Sequence, residues 1–501
     1  MMLLATTDAD PLTGKRRALP GLVILACLVL SGCATNPVSG GRNFVLMSEH
    51  EEIALGRQYH PQITAQYGVY PDEELQQYVN RIGQDLAKAS HRPHLEFHFT
   101  VLDDELVNAF ALPGGYIYIT RGMLAHLNSE AELAAVLGHE IGHVTDRHAV
   151  RQHSQSQLLG VLGSVAGAAT GVAGSTTANL FGGALLKGYG RNHELKADEL
   201  GAEYLARTDY PPDAMIEVIE VLKNRERFEI ERARKEGREP KVYHGFLASH
   251  PDNDKRLSEV VEKAKELGEG NPARVNRDGF LQHIDGMTWG QGGPSGVVRG
   301  SEYYNASLAI KMSMPDNWEI QSQTGKVLAV APGQTAALQI SAMPLAAELR
   351  PRDFLIRRLQ VTGLREGKDI SVGGMQGFIA IAANAQTPYG KRMVRYAVIY
   401  DQASGQAYVF SGAERRNSVD DIAADRYFIP AIFSLDKLAP GDFDLAQPAV
   451  VKVITPSAGT NIEALAAQSP LGPYAVEQLR LLNDLYPSGQ PKSGEAIKVV
   501  E

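Results

Sequence analysis

Cysteine is almost missing from this chain: two residues in 501, at positions 27 and 33. A disulfide framework is excluded, because both fall in one short N-terminal stretch. An excess of positive charge is missing too. Lys and Arg number 49 against 58 Asp and Glu, a net charge of -9. That excludes the broad basic footprint of a nucleic-acid binder. No run of eighteen apolar residues is present, so no segment reads as a plain membrane-spanning helix. No repeat of tetratricopeptide period is seen, which argues against a solenoid. What remains is ordinary globular composition, with 44% hydrophobic and 21% charged residues. At roughly 150 residues per domain, a chain of this size holds about three domains.

The N-terminus reads as a targeting segment. Lys15, Arg16 and Arg17 precede an apolar run from Ala18 to Leu30. As a helix that run spans about 20 Å, short of a hydrocarbon core of about 30 Å. It has the form of a signal-peptide apolar region. It ends in Leu30-Ser31-Gly32-Cys33, which resembles the bacterial lipoprotein cleavage box. The resemblance implies that residues 1–33 are signal peptide and lipobox, with Cys33 as the lipidated mature N-terminus. Acyl chains there would anchor a soluble body to a membrane. No Asp follows Cys33 directly, which by the enterobacterial sorting rule implies the outer membrane. An uncleaved anchor or an unmodified cysteine is the alternative.

Residues 34–270 read as one α-rich domain. Ser48 with Glu51 forms a capping box and opens a helix through Tyr67; Asp72 to Ala89 forms another. Leu95, Phe97, Phe99 and Val101 alternate with polar residues, as in a half-buried strand. His91, His94 and His98 fall close together, but His94 and His98 occupy the solvent face of that strand. Asn108 to Thr120 reads as two strands joined by Pro113-Gly114-Gly115. Ser129 with Glu132 opens a long helix to about Arg151.

Inside that helix stands His139-Glu140-Ile141-Gly142-His143. Positions i and i+4 share a helix face, so both imidazoles reach one metal ion. Two nitrogen ligands suit Zn²⁺, with a third protein ligand and one position for water. Glu140, on the flank, is placed to take a proton from that water. The third ligand comes from further on. Gly and His at 146 and 149 would mark a metzincin, but the chain has Asp146 and Ala149. Downstream, Glu194 and Asp198 are again i and i+4 on a helix. One can ligate; the other can accept the free N–H of a ligand histidine. His193 is a rival third ligand on a different helix face.

These stretches resemble the HtpX/BepA-like zinc metallopeptidases, the family that also contains the Ste-type CAAX prenyl proteases. The matching runs are Asn36-Pro37-Val38 with Gly41, Ser48 to Gly56, Asn108 to Thr120, Ser129 to His148, Arg191 to Gly201, and Ser249-His250-Pro251 with Arg256. The resemblance implies a mainly α, gluzincin-type peptidase domain with a small edge β-sheet. It implies one Zn²⁺ on His139, His143 and Glu194, Glu140 as general base, and Asp198 as the acidic residue behind a ligand. An extended substrate is expected to pair with Tyr116–Thr120 as edge strand. His250 or Arg256 is a candidate for stabilising the oxyanion, and His250 could instead gate the metal.

Residues 152–186 carry no Lys, Arg, Asp or Glu. A packed helical hairpin or a lid beside the cleft is expected there. Asn224 to Lys241 is dense in charge and reads as a solvated helix and loop. Residues 271–300 are glycine-rich and read as a linker. Residues 301–440 alternate strands and helices, an α+β accessory domain. Its Met314-Pro315-Asp316-Asn317-Trp318 turn resembles PsbP-like domains. Residues 449–501 resemble a LysM-type module in strand–helix–helix–strand order, without the usual Asp before Gly459-Thr460.

The whole reads as a multidomain, lipid-anchored zinc endopeptidase of the periplasm. Its expected partners are misfolded or stalled envelope polypeptides, the membrane through its N-terminal lipid, and peptidoglycan or the outer-membrane assembly machinery, with no nucleic acid. The alternative is a zinc-bound chaperone or assembly factor with gated cleavage. Retention of Glu140 favours the enzyme, because a scaffold needs the metal but not the base.

Overall fold

Local signals set the first elements. In the computed structural model, which describes residues 33–154, 189–240, 253–268, 270–346, 348–416 and 421–501, Ser48 and Glu51 close their capping box. The Ser48 amide donates to Glu51 at 2.8 Å, and the Glu51 amide to Ser48 Oγ at 3.3 Å. Helix α1 (Glu49–Tyr67) starts there. Helix α2 (Glu73–Ala89) is capped by Asp72 and buries Leu75, Val79, Ile82 and Leu86. Two short strands, β1 (Cys33–Thr35) and β2 (Arg42–Phe44), pair ahead of α1.

Three strands follow: β3 (His98–Leu102), β4 (Ala109–Leu112) and β5 (Tyr116–Thr120). Their order is β3-β5-β4. Tyr116–Thr120 is therefore the central strand, not the edge expected from the sequence. It pairs with β3 in parallel and with β4 antiparallel, so its own ladder is filled on both sides. The edge toward the next layer of helices belongs to β4. Helix α3 (Arg121–His126) then leads to α4 (Glu130–Thr145), every residue of which is buried. The helix expected to reach Arg151 breaks at Asp146-Arg147, where Arg147 has φ +56°, and resumes from 148 to 154. Helix α5 (Arg191–Arg207) packs along α4.

A buried ionic network ties α1 to the end of α4. Arg92, fully buried, donates to Glu52 at 2.9 Å, to Glu49 at 2.8 Å and to the Val144 carbonyl at 3.0 Å. Arg147 donates to the other Glu52 oxygen at 2.9 Å and to the Met47 carbonyl at 2.9 Å. Each buried charge is paired, as burial demands.

The stretch 271–300 is folded rather than a free linker. Phe280, Leu281 and Ile284 of the helix Arg277–Ile284 are fully buried in the same core as α2 and α4. The accessory region that follows carries a seven-stranded antiparallel sheet. Its order is Glu319–Gln323, Lys326–Val330, Ala336–Pro344, Gln406–Glu414, Gly390–Asp401, Met375–Thr387, Leu364–Val372. Phe428 and Ile432 of the helix Asp425–Phe433 are buried in a core shared with this sheet. One helical turn, Pro351–Asp353, runs into a π-turn, Phe354–Arg358, that buries Phe354 and Leu355. Trp318 is core, 8% exposed.

The last fifty residues do run strand, helix, helix, strand: Ala449–Ile454, Ile462–Ala466, Ala475–Leu482, Ile497–Val500. They share the core of α2 and α4 instead of forming a separate body. Val451, Leu479, Leu482 and Val500 belong to the cluster that holds Ile82 and Leu137. Thr288–Trp289 pairs with Ala449–Val450. Lys498 is fully buried and donates to the carbonyls of Ala125 at 2.8 Å and Leu127 at 2.6 Å. Burial holds its ammonium below the ordinary lysine range, against the attraction of Glu132. Replacing Lys498 by Met strips two buried carbonyls of their donor. Each buried acceptor left without a donor costs about 1–3 kcal/mol. The expected outcome is a matching loss of stability in urea, and Lys498→Met melting like the wild type would contradict it.

Candidate metal centre

Helices α4 and α5 cross closely because small residues meet at the contact. A Cβ built on Gly142 would lie 2.9 Å from the Ala197 carbonyl oxygen, and one on Gly138 would lie 3.3 Å from Gly201 Cα. Side chains there would hold the helices apart. Their absence lets a carboxylate on α5 reach the imidazoles of α4.

His139 Nε2 and His143 Nε2 stand 3.0 Å apart. The two Glu194 oxygens lie 3.6 Å from one and from the other. All three side chains are buried. Four-coordinate zinc with metal–donor bonds near 2.1 Å spaces its donors by roughly 3.4 Å. Three donors converging at that spacing fit such an ion. Among the described residues this is the one group of His, Cys, Asp and Glu that converges in this way. Asp198, fully buried one turn beyond Glu194, lies 2.8 Å from His139 Nδ1. A carboxylate accepts only, so Nδ1 carries the proton and Nε2 turns its lone pair inward; the tautomer is assigned from this partner.

Glu140 is fully buried on the same helix. The Tyr189 ring stacks on His143 at 4.1 Å and 20°. Burial, aided by the charges of Glu140 and Glu194, keeps its phenol protonated far above the ordinary range. A small cavity beside His143 is lined by Ala111, Leu112, Pro113, Val150 and Tyr189.

His193 does not join the triad. Its ring stacks on His148 at 4.3 Å and 17°. His91, His94 and His98 do not converge either: His91 meets Tyr204 at 2.9 Å, His94 meets Glu49 at 3.2 Å, and His98 stacks on Tyr116 at 4.5 Å. His250 lies outside the described residues, as do residues 155–186 of the expected lid and the signal segment 1–32. Cys33 begins β1.

Two residues behind the centre had no signal in the sequence. His148 Nδ1 lies 2.8 Å from His143 Nδ1, and its Nε2 lies 2.7 Å from Asp146 Oδ2. Burial lowers the basicity of His148 in spite of that carboxylate. Burial resists ionisation of Asp146, but contacts from His148, Asn36 and Arg151 outweigh it and hold the carboxyl below its usual range.

The chain is similar in sequence to known peptidases. Residues 73–264 match the model described as Peptidase family M48. Over 233 residues the chain is 31% identical to the Beta-barrel assembly-enhancing protease of Yersinia pestis, covering 44% of this chain and 45% of that one. It is 26% identical over 231 residues to the Mitochondrial metalloendopeptidase OMA1 of Schizosaccharomyces pombe, covering 45% and 65%. The chain thus spans from under half to about two thirds of these relatives' length. The solution structure of cyanobacterial PsbP from Synechocystis aligns with 30% of this chain at 12% identity and a TM-score of 0.22, too low to bear on the fold.

Proposed function

We infer, from the Peptidase family M48 domain formed by residues 73–264, that this protein is a zinc-dependent endopeptidase of the bacterial cell envelope, acting on misfolded or stalled envelope polypeptides. The observation that carries the reading is the buried triad His139, His143 and Glu194 at ligand spacing, with Glu140 on the same helix. A Zn²⁺ ion held by these three would supply a Lewis acid for the scissile carbonyl and acidify a water to a pKa of about 7.

The chain's own residues supply the rest. Among the described residues β4 is an edge strand, and an extended substrate would pair with its free side. An unfolded polypeptide can adopt that form; a folded one cannot. Glu140 takes the proton of the attacking water and delivers it to the departing amine. Tyr189, stacked on His143 with its phenol held protonated, would offer its hydroxyl to the oxyanion. Asp198 fixes the tautomer of His139.

The lipid on Cys33 would tether this site to the envelope membrane. Among the described residues no helix is long and apolar enough to cross one. The C-terminal strand–helix–helix–strand unit would be the part to contact peptidoglycan if its LysM-like sequence order carries that function, using the faces not taken by the shared core.

The test is cleavage of reduced, unfolded casein by the mature chain, residues 33–501. Cleavage is expected to stop on chelation and to return with stoichiometric Zn²⁺. Cleavage that persists in the apo chain would remove the metal from the mechanism.

A further inference from the structure

The run Asn36-Pro37-Val38 with Gly41 stands far from the metal motif in sequence, yet in the fold it reaches Asp146, just past the metal-bearing helix. Asn36 is 4% exposed. Its Oδ1 accepts from the amides of Val38 at 2.7 Å and Ser39 at 2.9 Å. Its backbone pairs with Gly40 and Gly41. The tight turn thus aims Nδ2 in one direction, and it donates to Asp146 Oδ1 at 2.6 Å. Arg151 donates to the other Asp146 oxygen at 2.5 Å. Further along, the Leu46 amide donates to Ser154 Oγ at 3.0 Å, so residues 36–46 clasp the end of the metal-bearing helix at two points.

The break at Arg147 gives this clasp a route inward. On a continuous helix, residues five apart point roughly 140° from one another. With Arg147 at φ +56° the chain turns back, and His148 Nδ1 comes to 2.8 Å from His143 Nδ1. His148 Nε2 faces Asp146 Oδ2 at 2.7 Å, a close contact at an oblique angle. Asp146 is acceptor-only, so the proton of His148 sits on Nε2. His148 Nδ1 is then an acceptor and takes the N–H of His143. His143 Nε2 is left with its lone pair facing His139 and Glu194. The two ligands are held alike: His139 by Asp198 directly, His143 by an imidazole backed by Asp146.

We propose that the N-terminal turn at Asn36 is a working part of the metal centre: through Asp146 and His148 it holds His143 in the metal-binding tautomer and orientation, and so sets metal affinity. Asn36, Asp146 and His148 are positioning residues. The inference rests on the reading of His139, His143 and Glu194 as metal ligands.

The test uses the full mature chain with Zn²⁺ and Co²⁺ as probes. Zinc affinity is read by competition with a chromophoric chelator, and site geometry by the visible absorption of the Co²⁺ form. Apo-chain melting reports folding. His148→Ala is expected to weaken zinc binding about 10–100-fold, the usual effect of losing a partner behind a ligand, and to change the Co²⁺ spectrum. His148→Asn, whose Oδ1 lies near the lost Nδ1, is expected to recover most of that affinity. Asn36→Ser keeps a hydroxyl to accept the turn amides but cannot reach Asp146. It is expected to shift affinity in the same direction by a smaller factor, with apo melting unchanged. Wild-type affinity and spectrum in both His148→Ala and Asn36→Ser overturn the proposal. If His148→Ala is unfolded, Asn36→Ser alone decides, and unaltered affinity there overturns it. If His143→Ala itself binds zinc like the wild type, the ligand reading fails instead, a separate result.

Discussion

Glu140→Gln is expected to retain one Zn²⁺ per chain and to lose about 10²–10⁴-fold in kcat/KM on unfolded casein, the range set by removing a general base. The substitution keeps volume and hydrogen-bonding atoms but abolishes the proton acceptor. Glu140 is fully buried beside the metal triad, and its charge helps hold Tyr189 protonated. Burial leaves little room for bulk water to replace it. The check is a fluorogenic cleavage assay with metal analysis on the same sample. Equal turnover in wild type and variant would move the base elsewhere. Loss of metal in the variant would give Glu140 a structural part instead.

Glu194→Ala is expected to abolish stoichiometric zinc binding and cleavage together. Glu194 is the anionic member of the triad, fully buried, with one oxygen toward each imidazole at 3.6 Å. Without it two neutral donors face a divalent ion in a buried site. Ligand binding to the native state stabilises it by about 2.7 kcal/mol at one hundred times the dissociation constant. Added zinc is therefore expected to raise the melting temperature of the wild type and to leave Glu194→Ala unmoved. A variant still stabilised by zinc would point to a different third ligand, and His193 would be examined first.

The elements legible in the sequence were those fixed within a turn or two of chain. The boxes at Ser48–Glu51 and Ser129–Glu132 start helices because their partners are three residues apart. The His139/His143 and Glu194/Asp198 pairs read correctly as shared faces because a helix repeats every 3.6 residues. What was hidden depends on distant pairing or on departures from regularity. Whether Tyr116–Thr120 is edge or centre is decided by β3 and β4 on either side of it, which periodicity alone does not specify. The contact of His148 with His143 depends on the chain turning back at Arg147, which a helix read through to Arg151 does not contain. The glycines of 271–300 masked Phe280, Leu281 and Ile284, three fully buried core residues. The C-terminal unit looked independent because its own strand–helix–helix–strand pattern is complete, and nothing local reveals that Lys498 completes the end of α3.

That last contact also orders events in time. Synthesis runs from the N-terminus, and the strand Ile497–Val500 emerges after all the residues it packs against. Ile497, Val499 and Val500 belong to one core with Leu124, Leu133 and Leu137, more than 350 positions earlier in the chain. Contacts of such separation form late and slowly. Until they form, the α3–α4 corner lacks its lid of apolar side chains and its buried ammonium. A nascent chain would therefore carry His139 and His143 long before the core around them is finished.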